Sequence, residues 1–182
     1  SLNLLRRNEK RDIDHPYFLN ITPATLTDKN FMRDLTRFLG QHRDVAQNII
    51  FEMPQRDFEK LQGSNLTIIN ALSKAGVRFS MDHVFTPRLK LSGLREKCIS
   101  YVKLDGRRMQ ELSGSQDGLR MIYRFKNRLD AAGITLIAER IEDEAMLLKL
   151  LDYELNYGQG YLFGKPDYPG AYDVKRAGTT SR

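Results

Sequence analysis

Short apolar runs alternate with helical stretches along most of this chain, and nearly every run ends on a polar residue with ligand chemistry. Tyr17-Phe18-Leu19-Asn20-Ile21 opens the series. Ile49-Ile50-Phe51 ends at Glu52, Val77–Met81 runs into Asp82, Ile99–Leu104 ends at Asp105, and Ile134–Ala138 ends at Glu139. Tyr157–Phe163 is a last strand-like piece carrying Gln159. Between these runs, Asn30–Gly40, Phe58–Ala75, Leu119–Ala132 and Asp143–Asp152 read as helices, with Leu89–Lys97 a shorter one. Gly40, Gly76 and Gly133 stand where helices stop. Strands alternating with helices predict an α/β fold with a parallel sheet and crossovers. Periodicity alone leaves a closed barrel and an open doubly wound sheet equally available.

In a barrel, all strand C-termini open onto one face, where active sites lie. Asn20, Glu52, Asp82, Lys103 with Asp105, Glu139 and Gln159 would then converge. Carboxylate and amide oxygens suit hard divalent cations such as Mg2+ or Mn2+. A cation held this way polarises a phosphodiester oxygen and lowers the pKa of a bound water. Lys103 would offset phosphate charge or position that water. The ring contains no Cys–His cluster, which argues against structural zinc. No GxxxxGK[ST] or GxGxxG pattern occurs, so the ordinary triphosphate and dinucleotide folds have no support.

Composition narrows the partners. The chain has 182 residues, enough for one domain but short of the roughly 250 of a complete eight-unit barrel. A net charge of +6 leans toward an anionic partner. Its basic residues, among them Arg6, Arg11, Arg107, Arg108, Lys175 and Arg176, are scattered and not interleaved with aromatics, so nucleic acid is not the expected partner. The single cysteine, Cys98, forms no internal disulfide and suits a reducing compartment. No run reaches the 18 apolar residues of a membrane span, and no signal peptide is visible. A cytoplasmic location without membrane contact is expected for this stretch. The opening on Ser rather than Met leaves room for an upstream anchor.

The polar strand ends resemble those of the EAL domain family of cyclic-di-GMP proteins. Leu19-Asn20-Ile21-Thr22 resembles its Asn-x-Ser/Thr strand, and Phe51-Glu52-Met53 its Glu-x-Thr strand. Met81-Asp82-His83 stands where the family has a double aspartate, and Val102-Lys103-Leu104-Asp105 matches its Lys-x-Asp. Ala138-Glu139-Arg140-Ile141-Glu142 matches its Ala-Glu-Gly-Val-Glu. Gln159-Gly160-Tyr161-Leu162-Phe163-Gly164-Lys165-Pro166 is close to its ending. The resemblance implies a modified TIM-type (β/α) barrel over residues 17–168, here lacking its first β/α elements. Residues 1–16 then read as the end of an upstream helix and a linker, and 169–182 as a C-terminal tail.

It also implies roles. Asn20, Glu52, Asp82, His83 and Glu139 would hold Mg2+ or Mn2+. Glu139, Lys103, Asp105 and Gln159 would serve hydrolysis of cyclic-di-GMP to pGpG, with Glu142 as a further supporting acid. Arg140, Gln159, Gly160, Phe163 and Pro166 would contact the nucleotide. Four departures stand against turnover. The Glu-x-Leu strand that names the family is absent before Asn20. His83 replaces the second aspartate. The loop Val84–Leu89 lacks the family's glycines, and Gln55 replaces the acid that anchors it. Arg140 replaces the glycine beside Glu139. The expectation is therefore a binding or regulatory module with impaired catalysis, which needs no metal if it acts as a receptor. An active phosphodiesterase and a pure protein-interaction module are the alternatives. A barrel short of its first elements is also expected to cover its gap by forming a homodimer.

Overall fold

The computed structural model describes residues 16–165. The expected upstream helix, its linker, the C-terminal tail and Pro166 lie outside the described residues.

Five strands form one parallel sheet: β1 (Tyr17–Asn20), β2 (Ile49–Pro54), β3 (Arg78–Val84), β4 (Ile99–Asp105) and β5 (Thr135–Glu139), hydrogen-bonded in sequence order. The helices are α1 (Pro23–Thr27), α2 (Lys29–Gln41), α3 (Arg43–Asn48), α4 (Gln55–Lys60), α5 (Ser64–Lys74), α6 (Leu91–Glu96), α7 (Gly106–Ser113), α8 (Gln116–Ala131) and α9 (Glu144–Leu151). Strand order without reversal is what a barrel requires; a doubly wound sheet reverses direction at its switch point. The sheet is also strongly curled. Three strand spacings of about 4.8 Å would separate β1 from β4 by about 14 Å in a flat sheet. Instead the Phe18 and Tyr101 rings meet edge to face at 5.6 Å, and Lys103 Nζ lies 4.4 Å from the centre of the Phe18 ring. Side chains of non-adjacent strands thus touch across a concave interior, and the barrel reading prevails over the open sheet.

Alternation along each strand divides the residues between two environments. Ile49, Phe51, Met53, Phe79, Met81, Val102, Leu104, Leu136 and Ala138 face the helices and join one hydrophobic core. The helices supply the matching stripe. Met32, Leu35 and Leu39 of α2 are buried, as are Ile122, Phe125 and Leu129 of α8. Asp28 caps α2 by accepting from Asn30 N and Phe31 N, and Ser115 caps α8 by accepting from Gly118 N. Each buried Leu, Ile or Phe contributes about 1.5–3 kcal/mol, so this outer layer carries most of the stability. The concave face instead carries Glu52, Ser80, Asp82, Lys103 and Glu139.

Two expected elements differ. Phe58–Ala75 is not one helix but α4 and α5, because the chain turns at Gly63, whose φ is +54. Glycine reaches that region without steric cost. Tyr157–Phe163 is not a sixth strand: it makes a single parallel bridge, Gly158 with Ala138, then turns. Its bonds are nonetheless specific, with Gln159 N donating to Ala138 O at 2.8 Å and Ile141 N to Gln159 O at 3.0 Å.

Candidate functional site

The strand C-termini converge on one rim, and an irregularity in β3 shapes it. Met81 pairs with Val102 and Val84 with Leu104, so Asp82 and His83 together oppose Lys103 alone. This is a β-bulge. His83 adopts φ +53, a left-handed conformation that histidine visits more readily than most residues. Ordinary alternation would send Asp82 and His83 to opposite faces; the bulge brings both to the rim. His83 Nδ1 lies 3.1 Å from Glu139 Oε1 and 3.6 Å from Asp82 Oδ1. Ligating atoms of Asp82, His83 and Glu139 all fall within 4.8 Å of one another. Burial, and then the neighbouring Asp82, push the Glu139 carboxyl up to about 7, against the pull of His83. Two acids crowding one buried place is the arrangement a divalent cation relieves, so the donor set fits such an ion.

Beneath the rim, Lys103 is almost fully buried. Its ammonium pairs with Glu52 and donates to Gln159 Oε1 at 2.8 Å. Burial raises the Glu52 carboxyl from its usual range, and Lys103 only partly offsets that. Beside Glu139, Arg140 has φ +58. Its Nη1 donates to Asp105 Oδ2 at 3.1 Å, while Asp105 Oδ1 accepts from Arg107 N at 2.9 Å and caps α7. Arg107 in turn pairs with Glu142. A cavity of about 310 Å3 opens here, lined by Arg107, Glu139, Arg140, Glu142, Gln159 and Tyr161, with Gly160 and Gly164.

The structure therefore gathers Asp82, His83, Glu139, Lys103, Gln159, Asp105 and Arg140 around one rim. Asn20 ends β1 in register with Glu52 and is exposed, and Glu52 is engaged by Lys103 outside the three-residue cluster. Phe163 does not share the cavity of Glu139 and Gln159. It borders a separate apolar groove with Ala138, Ile141, Leu155 and Tyr157. Gly160 has a steric role of its own: a Cβ there would come within 2.1 Å of Ile141 O and 2.3 Å of Ile141 N. Arg107 was hidden in the sequence among scattered basic residues. Only its place directly after the Lys-x-Asp strand hinted at the site.

The EAL domain sequence model matches residues 1–166, and the chain belongs to the EAL domain family. It is 29% identical over 157 residues to the cyclic di-GMP phosphodiesterase PdeA of Borreliella burgdorferi, covering 84% of this chain and 23% of that protein. It is 23% identical to the cyclic di-GMP phosphodiesterase RocR of Pseudomonas aeruginosa, covering 91% of this chain and 43% of that one. The chain thus spans less than half the length of either relative. Among solved structures it superposes on the GGDEF-EAL portion of Vibrio cholerae LapD bound to c-di-GMP, with TM-score 0.74 and 25% identity over 89% of this chain and 40% of that one. An EAL domain protein of Listeria monocytogenes, at 20% identity and TM-score 0.76 over 99% of this chain and 71% of that one, shares the fold. Among the described residues, no helix is long and apolar enough to cross a membrane.

Proposed function

We propose that this EAL domain binds cyclic-di-GMP and acts as a regulatory module that hydrolyses it slowly or not at all. The observation that carries the reading is the state of Glu139. Its carboxyl, which would serve the metal and water in hydrolysis, meets His83 at 3.1 Å, so the centre carries an imidazole in place of a second aspartate and one negative charge fewer with which to hold a hard catalytic cation. The relatives' names supply the ligand, and the cavity supplies recognition. Gln159 offers an amide, Tyr161 an aromatic face, and Arg140 and Arg107 offer guanidiniums suited to bidentate contact with phosphate. Asp82, His83 and Glu139 would hold a divalent cation, Mg2+ or Mn2+. When bound, such an ion supplies charge neutralisation at the phosphodiester. Lys103 holds Gln159 in place by its hydrogen bond and keeps Glu52 neutralised.

A second reading, metal-dependent hydrolysis to pGpG, is favoured by one observation. A Glu139 carboxyl that titrates at about 7 matches a general base at neutral pH. Calorimetry with cyclic-di-GMP in EDTA and in Mg2+ tests binding: heat in both buffers is expected, and none at high micromolar ligand overturns the proposal. Incubation with Mn2+ followed by chromatography for pGpG separates the readings, since sustained turnover establishes the second.

A further inference from the structure

We infer that His83 sets the metal preference of this centre, turning it from a hard Mg2+ site into one that favours a borderline ion such as Zn2+. The inference rests on the reading above that Asp82, His83 and Glu139 take a divalent cation. It concerns which ion, and what in this chain decides it.

Three observations converge on His83. The bulge delivers it. With Asp82 and His83 opposing Lys103 alone and His83 at φ +53, the imidazole is directed to the rim by the backbone, not by a chance rotamer. The spacing fits coordination. Metal bonds of about 2.1 Å set neighbouring donors about 3.0 Å apart in an octahedron and about 3.4 Å apart in a tetrahedron. The observed separations of Nδ1 from the two carboxylate oxygens, 3.1 and 3.6 Å, are of that size. The ring is also accessible: the His83 side chain is 49% exposed, while Glu139 is nearly covered. An ion arriving from solvent meets nitrogen first.

Chemistry then decides the preference. Mg2+ demands hard oxygen donors and near-ideal octahedral geometry, and gains little from imidazole. Zn2+ accepts nitrogen and carboxylate oxygen together, whereas Mn2+, like Mg2+, is best served by oxygen. An aspartate at this position would add a third carboxylate and favour Mg2+. The neutral imidazole removes that charge and adds a donor the harder ion does not seek. The hydrogen bond from His83 N to Asp82 Oδ1, at 2.9 Å, leaves the ring nitrogens free of that task.

The test is calorimetric titration of the full chain, without nucleotide, by MgCl2, MnCl2 and ZnCl2 in turn. Wild type is expected to bind Zn2+ at least about tenfold more tightly than Mg2+, with Mn2+ between them. His83→Asp should shrink the Zn2+ to Mg2+ ratio by about tenfold or more, losing Zn2+ and gaining Mg2+. His83→Asn should lose Zn2+ without gaining Mg2+, and it tolerates the left-handed backbone if the aspartate variant fails to fold. Equal affinity for the three ions in wild type, or a ratio unchanged in the folded variants, overturns the inference. Absence of any cation binding overturns it together with the metal part of the function above. Nucleotide binding measured in EDTA is decided separately, so the two failures are distinguishable.

Discussion

Replacing Glu139 with glutamine should make the metal-free protein more stable at neutral pH and abolish much of its pH dependence. The carboxyl titrates at about 7, far above its usual 4.5, because burial and Asp82 disfavour its charge. A group with a raised folded pKa keeps its proton in the folded state longer than in the unfolded one. Between about pH 4.5 and 7 the folded state binds more protons, so stability falls as pH rises through that window. Integrated over the shift, the loss is at most about 3 kcal/mol. For a domain of this size that corresponds to about 6–12 °C in midpoint. Glutamine keeps the acceptor oxygen facing His83 but has no charge to desolvate. Thermal unfolding followed by circular dichroism in EDTA, at about pH 5 and about pH 7.5, is the assay. The two proteins should melt within a few degrees of each other at the lower pH, and the variant should be higher by several degrees at the upper. Carboxyls remote from Glu139 affect both proteins alike and cancel in the difference, which therefore reads Glu139 together with the Asp82 and His83 it touches. Parallel curves would show that Glu139 is not held in a charge-averse place, and the crowding argument for the cation centre would fall with it.

Lys103→Met leaves the Glu52 carboxylate buried without its cation and should cost about 3–5 kcal/mol in chemical denaturation. Adding Glu52→Leu should recover most of that, and a double variant as unstable as the single one would refute the pairing as the cause. Gly160→Ala forces a Cβ against the Ile141 backbone and should cost about 1–3 kcal/mol while displacing Gln159, read as a lower midpoint and lost nucleotide binding. Unchanged values in both would show that the segment slides freely. Arg140→Gly should leave stability nearly unchanged, because relief of the left-handed backbone, about 1 kcal/mol, offsets a half-exposed ion pair with Asp105. Its affinity for cyclic-di-GMP should fall about tenfold if the guanidinium takes a phosphate.

The sheet was legible because each strand is rich in apolar residues, continuous at Ile49–Phe51 and alternating with polar ones at Arg78–Met81, and is flanked by glycine or polar residues. The core strands and their polar ends, Glu52, Asp105 and Glu139 among them, fell within a residue or two of where the run ends. Of the short helices, Leu91–Glu96 fell within the expected Leu89–Lys97, but three others were not legible. Pro23–Thr27, Arg43–Asn48 and Gly106–Ser113 bury only one or two residues each, too few to show a period. Tyr157–Phe163 misled because its aromatic composition favours a strand, whereas Gly158 and Gly160 press it against Ile141 and turn it after one bridge. The bulge at Asp82–His83 was invisible for a different reason. A bulge is a relation between two strands, and no one-dimensional pattern records that two residues will face one.

That bulge changes how the whole ring is to be understood. Four carboxylates stand along the strand ends: Glu52, Asp82, Asp105 and Glu139. Two of them have side-chain cations of their own, Lys103 for Glu52 and Arg140 for Asp105. Among the described residues, Asp82 and Glu139 pair with no Lys or Arg and share the His83 imidazole, and Glu139 responds by holding its proton to about 7. The unbalanced charge is thus that of two carboxylates, which one divalent ion neutralises and a second would overshoot. Arg140 is decisive in this balance, because a glycine at its position would leave Asp105 without its guanidinium. Under the proposed metal centre, the departures at His83 and Arg140, unrelated in sequence, would act on one quantity: together they would set the charge left for metal at that of a single ion. The titration that tests ion preference therefore also reads this balance, as one site per chain in wild type.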